Sequence, residues 1–364
     1  MIQVTRVGLF FDRPDWILGT QANEVCRTLE PTGRFSFHLT SYDSLLRQPR
    51  QQLRMLSQCN AVHWLLPSGY RNFAPLLPNQ AHLCTIHHCL KTNDYYPERY
   101  DAHQMLTGSQ STRDELVRRR FEDVKIIHYG INPNIFFPLD RNQCRDSLSL
   151  PDSLPLIGFF GKEKSNPEDR KGVQILISAV RVANQKRPVG VLLSGEGWHQ
   201  LRDSLTSQGV SVFQRKVEDL DQMRFLYGAL DLYLCTSRIE GGPLPVLEAM
   251  ACERPVISTP VGHVPEVIRH QGNGLIIPID NIQTTATAID QLLSSQEYRT
   301  QLGRAGRETI LREWTWTRTL APLEQLYEST AASNLSPRYT IARRSGAWLK
   351  LLAIAMLHRT GIIA

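Results

Sequence analysis

Apolar residues in this chain fall into short runs of two kinds, and the kinds alternate. VTRVGLFF (4–11), FSFHLTSY (35–42), AVHWLL (61–66), HLCTIHH (82–88), MLTGS (105–109) and VKIIHYG (124–130) are strand-length runs of aliphatic, β-branched and aromatic residues. Between them, ANEVCRTLE and STRDELVRRRF repeat apolar positions at helical spacing, and LLRQPRQQLRMLSQC reads as a polar helix interrupted by Pro49. A polar stretch rich in Ser and Pro, LDRNQCRDSLSLPDSLP, follows and reads as a linker. The alternation then resumes. PLIGFFG, VGVLLSGEGW, VSVFQRKV, LDLYLCTS, PVIST and GNGLIIP predict strands; a segment from near Val173, DLDQMRFLYGAL, VLEAMA, TTATAIDQLLSS and EYRTQLGRAGRETI predict helices. Strands separated by helices imply doubly wound parallel sheets. Two such series predict an α/β protein of two domains, 1–150 and 151–330, with a tail over 331–364.

Composition narrows the class. A length of 364 residues suits two domains. The hydrophobic fraction of 41% and charged fraction of 21% are those of a soluble globular protein. The chain runs straight into its first strand, so no signal peptide is expected, and no run reaches the roughly 20 apolar residues of a membrane span. Seven scattered cysteines point to a reducing compartment, and a cytoplasmic protein is expected. The net charge of +6 is concentrated at the end: after Glu328 there is no acid, but Arg338, Arg343, Arg344, Lys350 and Arg359 follow. The body is nearly neutral, which disfavours a nucleic-acid-binding face.

Candidate chemistry gathers in SRIEGGPLPVLEAMACERPVISTPVGHVPEVI, residues 237–268. This is a strand–loop–helix–strand unit with Glu240 in the loop and Glu248 in the helix. Gly241 and Gly242 let backbone approach a ligand, whose phosphate suits N–H groups near a helix start. Ligands of open α/β sheets bind at the carboxyl ends of the strands. The carboxylates can accept from vicinal sugar hydroxyls but repel phosphate, so a ligand carrying both groups is expected. A second cluster, Lys162, Lys164, Arg170 and Lys171, follows another strand and can neutralise a diphosphate. CTIHHC (84–89) holds soft ligands, but strand alternation separates Cys84 from His87, and no second cluster completes a zinc site. No P-loop, early G-x-G-x-x-G or G-x-S-x-G is present.

The 237–268 stretch resembles the signature of retaining nucleotide-sugar glycosyltransferases of the GT-B fold, family 4 type. Two glutamates at this spacing, EAMA, PV and the late Gly–His segment carry the resemblance. HYGINPNIFFP (128–138), the G-E-G turn at 195–197 and EWTWTRTLAPLEQLY are similar to further family segments. The resemblance implies two Rossmann-like domains facing across a cleft, with a last helix crossing back. It also implies that Lys171, with Lys162 or Arg170, holds the donor diphosphate. Glu240 would hold the transferred sugar, Glu248 the ribose, and Gly241, Gly242 and Leu244 would line the donor site. His87 would stand near the sugar, and Gly19 keeps one of the family's usual glycine pair. The partners implied are a nucleotide-diphosphate sugar and a glycan or lipid-linked acceptor, with no cofactor and no metal. An epimerase of the same fold and a silent nucleotide-sugar-binding protein are the rivals.

Past the family's usual end, RRSGAWLKLLAIAMLHR has about a dozen apolar residues flanked by arginines, too short to span a bilayer. It suits an interfacial helix on anionic lipid, or a helix packed on the body.

Overall fold

The computed structural model describes residues 4–89, 95–161, 169–217, 219–332 and 341–359, with side chains in the last segment described for 345–356. The chain divides into two compact units, Met1–His128 with Thr319–Ala364, and Tyr129–Arg318.

The first unit holds β1 (Thr5–Phe11), β2 (Phe35–Ser41), β3 (Ala61–Trp64), β4 (Ala81–Ile86), β5 (Gln104–Thr107) and β6 (Val124–Ile126). They form one sheet in the order β2-β1-β3-β4-β5-β6, and each neighbouring pair is parallel. Strands covered on both faces are buried at every position, as β3, β4 and β5 are, and polar residues within them such as His63, His82 and Gln104 are hydrogen-bonded. Pro49 starts the second of two helices, Tyr42–Arg47 and Pro49–Ser57, rather than interrupting one.

Residues 319–332 return to this unit. In the helix Ala321–Ala332, Tyr327 is fully buried and its hydroxyl lies 2.7 Å from His63 Nδ1. The other His63 nitrogen meets Thr85 Oγ1 at 2.6 Å. Burial, with His87 nearby, lowers the His63 pKa to about 3, so the ring is neutral. Arg34 pairs with Glu324 and Glu328 on the same helix. The helix Ile341–Arg359 packs against helices Tyr42–Arg47 and Pro67–Phe73, burying Ala347, Leu351 and Ala355.

The second unit holds β7 (Leu156–Phe160), β8 (Gly190–Ser194), β9 (Ser211–Arg215), β10 (Leu232–Cys235), β11 (Val256–Ser258) and β12 (Leu275–Ile276). The order is β12-β11-β10-β7-β8-β9, again parallel throughout. Chain order reverses between β7 and β10, so the topological switch point lies between these two strands.

The sequence places a boundary near 150, whereas the second unit begins at Tyr129. The supposed linker contains the helix Arg141–Ser147, capped by Asp140. Its Arg145 is fully buried and donates to the carbonyls of Ala229, Pro151, Asp152 and Leu154 and to Asp231 Oδ2 at 2.7 Å. A buried guanidinium needs its donors satisfied, and this segment wraps around one.

Candidate active site at the switch point

Two loops leave the sheet of the second unit at its switch point, one after β7 and one after β10. The first becomes the helix Val173–Lys186. Asp169 caps that helix through Val173 N–H at 2.7 Å and Gln174 N–H at 3.3 Å. Gly172 adopts φ 64°, and a Cβ there would lie 2.0 Å from the Thr236 carbonyl oxygen. Only glycine fits such an approach. Thr236 Oγ1 donates to the Lys171 carbonyl at 3.0 Å, and Arg238 N–H donates to the Arg170 carbonyl at 2.8 Å. The backbone of Arg170 and Lys171 is therefore bolted to the loop after β10.

Their side chains converge on one carboxylate. Lys171 Nζ lies 2.6 Å from Glu240 Oε1, and Arg170 Nη1 lies 2.7 Å from Oε2. Ser237 Oγ donates to Oε1 at 3.0 Å. The Glu240 side chain is only 11% exposed. Burial alone would raise its pKa, but Lys171 and Arg170 outweigh that and hold it below the usual carboxylate range. Three charges are thus gathered at the carboxyl ends of β7 and β10, the edge where open α/β sheets take their ligands.

Glu248 stands one helix further in. Its helix, Leu244–Ala251, starts beyond Pro243, with Pro245 in the first turn where a missing N–H does no harm. Glu248 Oε2 accepts from the Tyr227 hydroxyl at 2.5 Å. Burial pushes the Glu248 carboxyl up to about 7, partly offset by that hydrogen bond. Leu244 is buried at the start of this helix. A Cβ at Gly262 of the following loop would lie 2.7 Å from the Gly241 backbone, and a Cβ at Gly242 would meet His263 and Tyr129 at 2.5–2.6 Å. The close packing explains the glycines at 242 and 262.

Glu240, Arg170 and Lys171 are therefore brought together, with Gly241, Gly242, Leu244 and Glu248 on the same loop and helix. Lys162 lies outside the described residues. Gly19 and His87 belong to the first unit. Gly19 lies in the helix Ile17–Leu29, where a Cβ would meet the Arg13 carbonyl oxygen at 2.4 Å, so its absent side chain admits the preceding loop. His87 follows the end of β4. Its Nε2 is 2.7 Å from the Leu65 carbonyl, which can only accept, so Nε2 carries the proton and Nδ1 is the acceptor. Burial lowers the His87 pKa to about 4, and the imidazole is neutral. Among the described residues no group of three His, Cys, Asp or Glu could hold a metal ion, CTIHHC included. Sequence reasoning missed Asp169, Thr236, Ser237 and Tyr227. Asp169 sits three residues before a glycine-started helix, a capping signal; Tyr227 has none.

Residues 146–309 match the family model for glycosyl transferases group 1. The chain is similar to glycosyl transferases of group 1 over this segment. The matched segment contains Arg170, Lys171, Glu240 and Glu248. Curated relatives include N-acetyl-alpha-D-glucosaminyl L-malate synthase of Bacillus anthracis, 27% identical over 58% of this chain and 55% of that protein. D-inositol 3-phosphate glycosyltransferase of Saccharomonospora viridis is 26% identical over 64% of this chain and 57% of that one. The chain thus spans little more than half the length of these relatives. Among solved structures, sucrose-phosphate synthase of Thermosynechococcus elongatus superposes with TM-score 0.73 at 18% identity, covering 90% of this chain and all of that one. Anabaena HepE in complex with UDP and glucose gives TM-score 0.73 at 16% identity, covering 89% and all. The fold is GT-B, two Rossmann-like α/β units each built on a six-stranded parallel sheet.

Proposed function

We propose that the protein transfers a sugar from a nucleotide-diphosphate sugar to a glycan or lipid-linked acceptor, with retention at the anomeric carbon. The observation that carries this reading is the convergence of Lys171, Arg170 and Glu240 at the switch point of the matched domain. On this reading the diphosphate takes over the two cations, and Glu240, released from them, accepts from hydroxyls of the transferred sugar. Glu248 accepts from the ribose. The acceptor oxygen bonds to the anomeric carbon on the face the diphosphate leaves. The carbon–oxygen bond to phosphate breaks, the acceptor proton passes to the departing phosphate, and the nucleoside diphosphate is released. Charge building on the leaving group is met by fixed cations, the largest usual source of transition-state stabilisation. Lys171 and Arg170 supply the charge that a divalent ion supplies elsewhere, so no metal is needed.

Support for a membrane-presented acceptor comes from the helix Ile341–Arg359. Leu349 and Met356 are 70% exposed, Leu352 54% and Trp348 42%. At ~100° per residue these four share one stripe about 100° wide, separate from the buried Ala347, Leu351 and Ala355. The helix sequence carries Arg343, Arg344, Lys350 and Arg359 and no acid, a composition that favours anionic lipid. No helix of the described residues is long and apolar enough to cross a membrane. The reading therefore is peripheral attachment at a cytoplasmic face, serving envelope glycan or glycolipid synthesis.

The test is a panel of UDP-, GDP-, ADP- and TDP-sugars screened by thermal shift, then incubated with lipid-linked and glycan acceptors. Retention is read from the anomeric proton of the product. Stabilisation by a donor with sugar transfer is expected; stabilisation by none of them would overturn the reading.

A further inference from the structure

Glu248 is held by a residue that the proposed reaction does not use. Tyr227 stands in the helix Leu220–Gly228 with its side chain fully buried. Its hydroxyl donates to Glu248 Oε2 at 2.5 Å. Its ring is walled by Phe160, Tyr233 and Phe136, at centroid distances of 5.0, 5.9 and 6.1 Å. A ring packed on three sides cannot swing, so the hydroxyl is a fixed point. A carboxylate has two oxygens and about four acceptor directions. Pinning Oε2 fixes the plane of the group and commits Oε1 to whatever enters.

We infer that Tyr227 is a positioning residue for ribose recognition, holding the Glu248 carboxylate so that Oε1 accepts from the ribose hydroxyls of the donor. The inference rests on the assignment of Glu248 to the ribose made above.

A buried phenol needs a partner, and a carbonyl would serve: the neighbouring Tyr233 hydroxyl reaches the Phe160 carbonyl at 3.5 Å. Tyr227 is paired instead with a carboxyl that burial disfavours in its charged form. Packing alone gains nothing from that choice, because an ionisable group taken out of water destabilises the fold unless it is paired. The titratable groups around Glu248 are Tyr227, Tyr233 and, one turn along its own helix, Cys252; burial raises all three, so all are neutral near pH 7. Within this set the Tyr227 hydroxyl is the group that favours the carboxylate by hydrogen bonding. Removing it shifts Glu248 upward, and less carboxylate is present at neutral pH.

The experiment titrates UDP, GDP and their 2′- and 3′-deoxy counterparts into the full chain between pH 6 and 8.5. Wild type, Tyr227→Phe, Tyr233→Phe and Glu248→Gln are compared. In the wild type, affinity for the ribonucleotide is expected to fall as pH drops through about 7, as Glu248 takes up its proton. Tyr227→Phe should weaken ribonucleotide binding at pH 7 about five- to tenfold, the usual scale for one lost hydrogen bond. It should also move the pH inflection upward and shrink the preference over the deoxy compounds. Tyr233→Phe, an equal change in the same aromatic cluster, should move none of these. Unchanged inflection and preference in Tyr227→Phe, or equal changes in Tyr233→Phe, would overturn the role of Tyr227. Wild-type preference in Glu248→Gln, or no binding of either nucleotide by the wild type, would instead remove the ribose assignment on which it rests.

Discussion

Replacement of Lys171 by alanine tests the diphosphate site most directly. The lysine ammonium is 2.6 Å from Glu240 Oε1, and the two side chains are 20% and 11% exposed. The contact is largely shielded from solvent, so the charge-assisted bond that the diphosphate would inherit falls in the range of about 1.5–3 kcal/mol. At ~1.36 kcal/mol per decade, kcat/KM for the donor should drop about ten- to a hundredfold. The loop itself does not hang on this ammonium. Asp169 caps the following helix, Thr236 holds the Lys171 carbonyl, Arg238 N–H holds the Arg170 carbonyl, and Arg170 keeps Glu240 paired. Thermal stability should therefore move by less than the ~3–5 kcal/mol of a fully broken buried pair, because Arg170 keeps Glu240 paired. Lys171→Arg keeps the charge but places it wrongly, and should recover only part of the loss. The assay is initial-rate transfer at varied donor concentration, beside thermal unfolding of the same samples. If Lys171→Ala keeps kcat/KM within twofold of wild type, or loses activity only in proportion to unfolded protein, the diphosphate assignment is refuted.

Three further outcomes are expected. Transfer should persist in excess EDTA; complete loss, restored by magnesium or manganese, would show that Lys171 and Arg170 do not replace a divalent ion. Changing Trp348, Leu349, Leu352 and Met356 together to serine should abolish co-sedimentation with anionic vesicles at low salt without lowering the melting temperature, because these side chains are exposed; equal binding by both proteins would contradict the lipid-facing stripe. Asp231→Ala removes the carboxylate of the fully buried Arg145 and should destabilise the second unit by about 3–5 kcal/mol in urea unfolding; a change under ~1 kcal/mol would mean that the surrounding carbonyls suffice.

The sheets were legible because parallel strands covered on both faces are mostly apolar along their length. Leu156–Phe160 is buried at all five positions, and its run stands out in the sequence. Elements whose stability lies in polar or close-packed contacts were hidden. The helix Arg141–Ser147 reads as linker because its content is an Asp cap and an arginine satisfied by carbonyls. PSGYRNF (67–73) gave no helical signal, with a proline and a glycine in seven residues; the glycine is there because a Cβ would lie 2.2 Å from the Phe10 ring. Within the site, Glu240 and Glu248 could be found because their spacing is local. The Arg170–Glu240 and Lys171–Glu240 pairs span 70 and 69 residues and exist because β7 and β10 become neighbours. Tyr227 is set by aromatic packing, which leaves no pattern in the chain.

The return of residues 319–332 to the first unit has a consequence for biogenesis. On a ribosome, amino-terminal domains ordinarily close first. Here the order is inverted, because the second unit is contiguous from Tyr129 to Arg318 while the first awaits a segment made nearly two hundred residues later. Until Tyr327 arrives, the buried face of His63 and the rings of Phe35 and Phe37 that pack against it lack their cover. The nascent amino-terminal half is thus the vulnerable one, open to chaperones and proteases while its neighbour in sequence is already complete. Its final closure records that translation has reached the last helices.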